Sequence, residues 1–137
     1  MKTFFYSFLT LLLVAFGHVT TASAQQVNSK IQEVYGNKTQ ELVINDPDRS
    51  AFLTDLIENR IKIIELALSP NEKYAKLSDV ALLNKYNTSL TRDIAFDANT
   101  FNALKYDFIV SSKTPVVYRV DNTDYLIVIQ PQTLKKD

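Results

Sequence analysis

The fold is decided by residues 116–129, which read VVYRVDNTDYLIVI. On both sides of residues 121–124 the side chains are mostly β-branched or aromatic and alternate between two faces with a period of two, a pattern typical of the two strands of a β-hairpin. Residues 121–124 suit the tight turn between the strands, and Asn122 tolerates a positive φ there. The simplest register places Val120 opposite Tyr125.

Residues 106–110 repeat this alternation and predict another strand before the hairpin, and residues 94–96 are a candidate fourth. The predicted sheet is therefore an antiparallel meander of three or four strands. One of its faces, which we call the inner face, is strongly apolar and consists of Tyr106, Phe108, Val110, Val116, Tyr118, Val120, Tyr125, Ile127 and Ile129. We expect the helices to pack on this face.

The strongest helix signal begins at Asp46 and Pro47. Asp46 can accept from the first free backbone N–H groups, and Pro47 suits the first helical position, where its missing N–H loses no bond. The apolar residues that follow keep the three-and-four spacing of one helical stripe, at Phe52, Leu53, Leu56, Ile57, Ile61, Ile64 and Leu68. The pattern predicts one long helix from Pro47 to about Leu68.

Shorter helices are predicted on either side of this long one. The first carries an apolar stripe at Val27, Ile31 and Val34. Gly36 is placed to end that helix in a left-handed conformation. Residues 38–44 predict a second short helix, residues 69–72 form a capping box, and Ser78 can cap another. The predicted fold class is α+β, with N-terminal helices packed on one face of a C-terminal antiparallel meander.

The N-terminal segment 1–24 has the pattern of an export signal. Lys2 gives a basic start, residues 4–16 form a mostly apolar run, and residues 22–24 offer the small side chains of a cleavage site. The apolar run is shorter than the roughly 20 residues that a membrane-spanning helix needs. We therefore expect a signal peptide at 1–24, no stable membrane anchor after cleavage, and a single domain at 25–137 in the periplasm or outside the cell.

The expected mature chain is poor in reactive side chains. The chain has no Cys, and its single His and single Met lie within the segment 1–24. Ser-His-Asp and Cys-His catalysis, thiol redox chemistry and the usual zinc sites are therefore excluded for residues 25–137. With 14 basic and 15 acidic side chains, these residues offer nucleic acid no basic surface. We assign no cofactor, no metal site and no catalytic residue.

The opposite, outer face of the predicted sheet is the candidate binding site. The predicted register sets Asp107 opposite Arg119 in a cross-strand ion pair, and apolar side chains surround this pair. The site comprises Ile109, Val117, Arg119, Leu126 and Val128. Because open apolar patches usually mark a partner, we expect a protein partner or a second copy of the chain here. The alternative is that residues 84–102 cover the face.

Carboxylate pairs are the remaining catalytic candidates. Glycoside hydrolysis needs one acid that donates a proton and a second group that acts as base or nucleophile. The best placed are Asp93 and Asp97 in the connection before the sheet, and Asp121 and Asp124 in the hairpin turn. Turn formation explains the same residues, since turns select Asp. Among the tyrosines, Tyr86 has polar neighbours and is the candidate for stacking on a ligand.

Three segments resemble a group of small exported bacterial proteins with no assigned activity. They are Asn45–Arg49 (NDPDR), Leu83–Asn87 (LNKYN) and Tyr118–Tyr125 (YRVDNTDY). The resemblance extends over most of the chain after the leader and implies a bacterial protein with a signal peptide. None of the segments is a catalytic motif, so the resemblance assigns no functional residue.

The sequence therefore favours an exported, non-enzymatic binding or protein-interaction module of the bacterial cell envelope. The alternative is a small carboxylate-dependent hydrolase that acts on envelope polysaccharide. Two structural features distinguish the hypotheses: an open outer face favours the first, and a cleft in which two carboxylates converge favours the second.

Overall fold

A computed structural model of the chain describes residues 24–67 and 72–133. The predicted signal peptide lies outside these residues apart from Ala24, and the predicted capping box lies outside them apart from Glu72. Within the described chain, helical segments come first and a four-stranded mixed sheet follows. The α+β class predicted from the sequence is confirmed.

Helix α1 covers residues 24–35 and directs Val27, Ile31 and Val34 into the core. Gly36 then takes a φ of +54°, the left-handed conformation expected at the end of a helix. The chain continues through a 3₁₀ turn at Gly36–Lys38 and a π-helical turn at Gln40–Ile44. These two turns occupy the place of the short helix predicted at 38–44.

Helix α2, Pro47–Asp55, begins as predicted but ends early. Oδ1 of Asp46 accepts from the N–H of Arg49 at 3.0 Å, and Pro47 lies in the first turn. After Asp55 a wide π-helical turn, Leu56–Arg60, leads the chain into extended backbone at Ile61. The prediction of one helix from Pro47 to about Leu68 is therefore wrong beyond Arg60.

Residues 61–65, which were predicted to continue that helix, form strand β1, Ile61–Glu65. β1 pairs antiparallel with β4, Tyr125–Ile129, and Ile63 lies opposite Ile127. The cause of the error is physical, because Ile61 and Ile63 fit the period of a strand while Ile61 and Ile64 fit the spacing of a helix. β-branched side chains favour strands, and pairing with β4 selects the strand.

The strand order is β1-β4-β3-β2. β3, Val116–Arg119, pairs antiparallel with β4, and the N–H of Val120 donates to the Tyr125 carbonyl at 3.0 Å, as the predicted register requires. Asn122 takes the predicted positive φ, at 57°. β2, Ala75–Lys76, runs parallel to β3. The predicted purely antiparallel meander is thus wrong, since the sheet is mixed and gains β1 from the helical half.

Residues 106–110 do not form the strand predicted for them. Tyr106 makes one isolated bridge with Leu82, and the segment then crosses the inner face of the sheet. There the rings of Phe108 and Tyr118 pack with centroids 4.7 Å apart, and the N–H of Ile109 donates to the Tyr118 hydroxyl at 3.2 Å. The segment covers the sheet instead of extending it.

Two smaller predictions also fail. The chain after Ser78 forms only a 3₁₀ turn, Leu77–Asp79, and residues 94–96 form no strand. The core nevertheless lies where the sequence placed it, between the helices and the inner face. Its buried apolar side chains include Val27, Ile31, Val34, Val43, Leu53, Leu56, Phe101, Leu104, Tyr106, Phe108, Tyr118, Val120, Ile127 and Ile129.

Candidate functional site

A cleft of about 330 Å³ opens between the connection at 84–102 and the β3–β4 turn. Carboxylates and aromatic rings line it together, among them Asp93, Phe96, Tyr106 and Asp121. We call it the Asp93–Asp121 cleft. Two of the four aspartates considered as catalytic candidates in the sequence therefore share one cavity, although they lie in separate segments of the chain.

Hydrogen bonds from Ser78 fix Asp121 at one wall of the cleft. Its two carboxylate oxygens accept from the Ser78 backbone N–H at 3.0 Å and from the Ser78 hydroxyl at 2.6 Å. Burial, the largest single cause, raises the pKa of this carboxyl, but the two bonds from Ser78, a backbone hydrogen bond within Asp121 and the charge of Lys76 together lower it below its ordinary value. Asp121 is therefore held as an ionised acceptor.

A buried ammonium fixes Asp93 at the opposite wall. Nζ of Lys105 donates to Oδ1 of Asp93 at 2.7 Å and lies 3.6 Å from Oε1 of Glu33 in α1, while the Tyr106 hydroxyl donates to Oδ2 of Asp93 at 3.2 Å. The Lys105 side chain is 5% exposed, against 36% for Asp93. Burial by itself lowers the pKa of Lys105, but the hydrogen bond and charge of Asp93, helped by Glu33, raise it overall.

Asn102 connects this ion cluster to α1 and fixes the start of the buried segment. Its Nδ2 donates to the Lys30 carbonyl at 2.9 Å and to Oε2 of Glu33 at 2.8 Å. Its Oδ1 accepts from the N–H of Leu104 at 3.1 Å and caps the 3₁₀ turn Ala103–Lys105. The wall that carries Asp93 is therefore anchored to the helical layer.

Aromatic side chains form the floor of the cleft. The ring centroid of Phe96 lies 5.2 Å from that of Phe101, which stacks on Tyr106 at 5.4 Å. Phe101 and Tyr106 are buried, whereas Phe96 is half-buried and accessible to a ligand. Ile94, at the rim, is fully exposed at 106%. An apolar surface is thus placed beside two fixed carboxylates.

This arrangement suits acceptance of hydrogen bonds better than proton donation. A general acid of a glycosidase needs a carboxyl with a raised pKa, whereas the pKa of Asp121 is lowered. Within residues 24–67 and 72–133, no group of three or more His, Cys, Asp or Glu side chains is arranged to hold a metal ion. The cleft offers directional acceptors and ring faces for a polar ligand.

Because the pKa of Asp121 is lowered in the folded protein, the free energy of unfolding depends on pH in the acid range. The contribution of Asp121 is present above the ordinary value of 3.8 and is lost as the pH falls through the folded-state pKa. We expect Asp121→Asn to lower the free energy of unfolding by about 1 kcal/mol near neutral pH and by less at a pH of about 2.5. Urea denaturation at both pH values measures this, with Asp124→Asn as control. An equal loss at both values would contradict the ionised state of Asp121.

The other two candidate aspartates do not line this cleft. Asp97 shapes its own turn, where Oδ1 accepts from the N–H of Asn99 at 2.9 Å and the carbonyl accepts from the N–H of Phe101 at 2.9 Å. Asp124 is exposed in the hairpin turn, next to β4. Tyr86, the candidate for ligand stacking, stacks on Tyr35 of α1 with centroids 5.2 Å apart.

The predicted outer-face site is brought together in part. Val117 lies opposite Val128 and Arg119 opposite Leu126, all on one face of the sheet. Leu126 and Val128 are buried at 5% and 8% exposure, so the face presents less open apolar surface than expected. Ile109 is exposed but lies off the sheet, in the segment that crosses the inner face.

The predicted ion pair of Asp107 and Arg119 does not form. Nε of Arg119 donates instead to the Thr123 carbonyl at 3.2 Å, within the hairpin. The alternative in which residues 84–102 cover the outer face also finds no support in their hydrogen bonds and ring contacts. Asn87 donates to the Glu33 carbonyl in α1, and Phe96 packs on the inner-face residue Tyr125.

Sequence reasoning missed Ser78 as the partner of Asp121 and Lys105 as the partner of Asp93. One signal was available for Lys105. It is the single charged residue in the otherwise apolar run 103–106, and if that run is buried, its charge needs a counter-ion. The Ser78–Asp121 bond joins residues 43 positions apart and left no local signal.

None of the helices in the described ranges is both long enough and apolar enough to cross a membrane. No family model, curated protein or solved structure matches the chain.

Proposed function

We propose that the protein is an exported, non-enzymatic binding module of the bacterial cell envelope that accepts a neutral glycan segment in the Asp93–Asp121 cleft. The observation that carries this proposal is the placement of two fixed carboxylates beside a half-buried phenylalanine. Hydroxyl groups donate to carboxylates, and the C–H face of a sugar ring packs on an aromatic face. The two kinds of contact lie within one cavity.

The charges around the cleft favour a neutral ligand over a strongly charged one. The ammonium of Lys105 compensates Asp93, and the charge of Lys76 acts on Asp121. Each carboxylate already accepts hydrogen bonds from the protein, so its orientation is fixed before a ligand arrives. Preorganised acceptors reduce the entropy that binding would otherwise cost.

Burial of Leu126 and Val128 weighs against the outer face as the main binding surface. A partner protein needs an open apolar patch, and these two central side chains offer little area. The cleft, by contrast, combines open volume with polar groups that converge on it.

The proposal is tested by titrating isotope-labelled protein with oligosaccharide fragments of envelope polysaccharide and following backbone amide resonances. We expect shifts confined to residues 93–96, 101, 106 and 121–123. Asp121→Asn should raise the Kd about tenfold through loss of a charge-assisted hydrogen bond. Asp124→Asn, in the same turn but outside the cleft, should leave the Kd unchanged. An equal loss in both variants, or no binding by any fragment, would refute the proposal.

The hydrolase is kept as a second candidate because Asp93 and Asp121 line the same cleft. The same titration samples distinguish the hydrolase from the binding module. Hydrolysis would produce new reducing ends, and Asp93→Asn and Asp121→Asn would abolish their production. Under the binding proposal the fragments remain intact in every sample.

A further inference from the structure

A second cavity, of about 160 Å³, lies where α1, α2 and the segment 104–110 meet. Tyr35 at the end of α1, Leu53 in α2 and Phe108 in the segment line it together. Asp107 lines it as well, and we call it the Asp107 cavity. The carboxylates of the Asp93–Asp121 cleft do not line this cavity, so the two are distinct sites.

The interior of the Asp107 cavity is apolar. Leu53, Leu104 and Phe108 line it and are each 6% exposed. Phe52 and Tyr106 add two more aromatic rings to the lining. A dry apolar cavity of about 150 Å³ is large enough to bind benzene. The interior therefore has room for one aromatic ring and offers it other rings to pack on.

The rim of the cavity is open to solvent and polar. Leu83 is 39% exposed, Asp107 is exposed, and Tyr35 is half-buried. Of the described residues that line the cavity, Asp107 alone carries a charge, and it forms no ion pair within residues 24–67 and 72–133. An ionised carboxylate only accepts hydrogen bonds. The rim thus presents an acceptor beside an apolar interior.

Backbone hydrogen bonds hold this rim in place. The N–H of Asp107 donates to the Ala81 carbonyl at 2.9 Å, and the N–H of Leu83 donates to the Lys105 carbonyl at 2.7 Å. The two bonds tie the segment 104–110 to the chain at 81–83. Because the backbone at Asp107 is fixed before a ligand arrives, binding costs less entropy.

The charges around the rim favour a neutral ligand. Asp107 repels an anion. A cation would meet basic side chains, because the charge of Arg49 acts on Tyr35 and Nζ of Lys85 lies 5.3 Å from the centroid of the Tyr86 ring. Tyr86 in turn stacks on Tyr35. A neutral molecule that donates one hydrogen bond avoids both repulsions.

We propose that the Asp107 cavity binds a small neutral aromatic alcohol, in the size range of benzyl alcohol. The ring fills the interior beside Leu53 and Phe108, and the hydroxyl donates to the Asp107 carboxylate at the rim. A charge-assisted hydrogen bond and the burial of apolar area both favour this ligand. Although Tyr106 lines both cavities, this site does not depend on the function proposed for the Asp93–Asp121 cleft.

The experiment compares four probes of similar size at neutral pH and constant ionic strength: benzyl alcohol, benzonitrile, benzoate and benzylamine. Benzonitrile is neutral but has no hydrogen-bond donor, and the last two are an anion and a cation. Ligands that bind only the folded state raise the Tm by mass action. We expect benzyl alcohol to raise the Tm and to shift the amide resonances of residues 53, 56, 104 and 107, with a Kd at least about tenfold below that of each other probe. A Kd for any of the other three that equals or falls below that of benzyl alcohol would overturn the proposal.

Asp107→Ala tests the role of the carboxylate, and Asp124→Ala, which removes another exposed aspartate, is the matched control. We expect Asp107→Ala to raise the Kd of benzyl alcohol about tenfold and to leave that of benzonitrile unchanged, whereas Asp124→Ala should change neither. An equal effect of the two variants would count against a hydrogen bond to Asp107.

Two further measurements locate the ligand. Nuclear Overhauser contacts between benzyl alcohol and the side chains of Leu53 and Leu104 are expected in the unmodified protein, and their absence would refute the site. Glycan binding in the Asp93–Asp121 cleft should be unchanged in Asp107→Ala. Failure of one proposal is thus distinguishable from failure of the other.

Discussion

Proline in place of Lys62 is expected to lower the free energy of unfolding by about 3 kcal/mol, whereas proline in place of Glu65 should cost clearly less. Both residues lie in β1, so both substitutions impose the same restriction on φ. They differ in where their backbone N–H groups point, and this difference follows from the pairing of β1 with β4.

The hydrogen bonds that flank β1 fix this direction. The N–H of Leu66 donates to the Asp124 carbonyl at 2.8 Å, and the Arg60 carbonyl accepts from the N–H of Gln130 at 2.8 Å. Because alternate residues of an antiparallel pair share the same direction, the N–H of Lys62 also points toward β4. The N–H of Glu65 points to the free edge of the sheet. Proline at Lys62 therefore removes a bond of the ladder that proline at Glu65 leaves intact.

Chemical denaturation of the two variants measures the difference. The comparison also tests whether residues 61–65 form a strand and not the end of the predicted helix. A helix through residues 47–68 would lose about the same stability from proline at either position. Equal losses would contradict β1 as a strand paired through Lys62. Lys62→Ala and Glu65→Ala control for the loss of each side chain.

Asp93→Ala is expected to lower the free energy of unfolding by about 3 kcal/mol, more than the loss caused by Lys105→Met. Lys105 is buried, so removal of its nearest counter-ion leaves an ammonium in the protein interior with only Glu33 at 3.6 Å. Removal of Lys105 leaves the carboxylates of Asp93 and Glu33, which are 36% and 46% exposed and can be hydrated. The cost thus depends on which charge is left behind.

A double-mutant cycle measures this asymmetry. In Asp93→Ala combined with Lys105→Met, no buried ammonium remains, so the double variant should be more stable than Asp93→Ala alone. Urea unfolding followed by circular dichroism gives the four free energies. A double variant that loses the sum of both single losses would show that the Lys105 ammonium is not stabilised by Asp93.

Local rules predicted the elements that depend on neighbouring residues. The Asp46 cap, the left-handed Gly36 and the hairpin around Asn122 each follow from the conformational preference of one or two residues. β1 and the segment at 106–110 were mispredicted because pairing between distant residues decided them. Ile63 pairs with Ile127 in the last third of the chain, and no periodicity within residues 47–68 reports that partner.

The candidate site was predicted only as a set of residue types. Asp93 and Asp121 were identified as candidates, but their convergence depends on Ser78 and Lys105, which join separate parts of the chain. The burial of Arg60 could not be predicted, since arginine is almost always exposed, and the burial of Lys105 was indicated only by its apolar neighbours. The outer-face residues were assigned to the correct side of β3 and β4, while the burial of Leu126 and Val128 was not predicted.

The strand order has a consequence for how the molecule assembles. β4 is the last of the four strands along the chain, yet it lies between β1 and β3 and holds both of them. A chain growing from its N-terminus reaches residue 124 with none of the antiparallel ladders formed, and until then the helices can pack on only part of the inner face. Closure of the sheet is therefore a late, long-range event, which slows folding because loop entropy is lost before contacts compensate for it. The complete sheet can therefore form only after β4 has been synthesised.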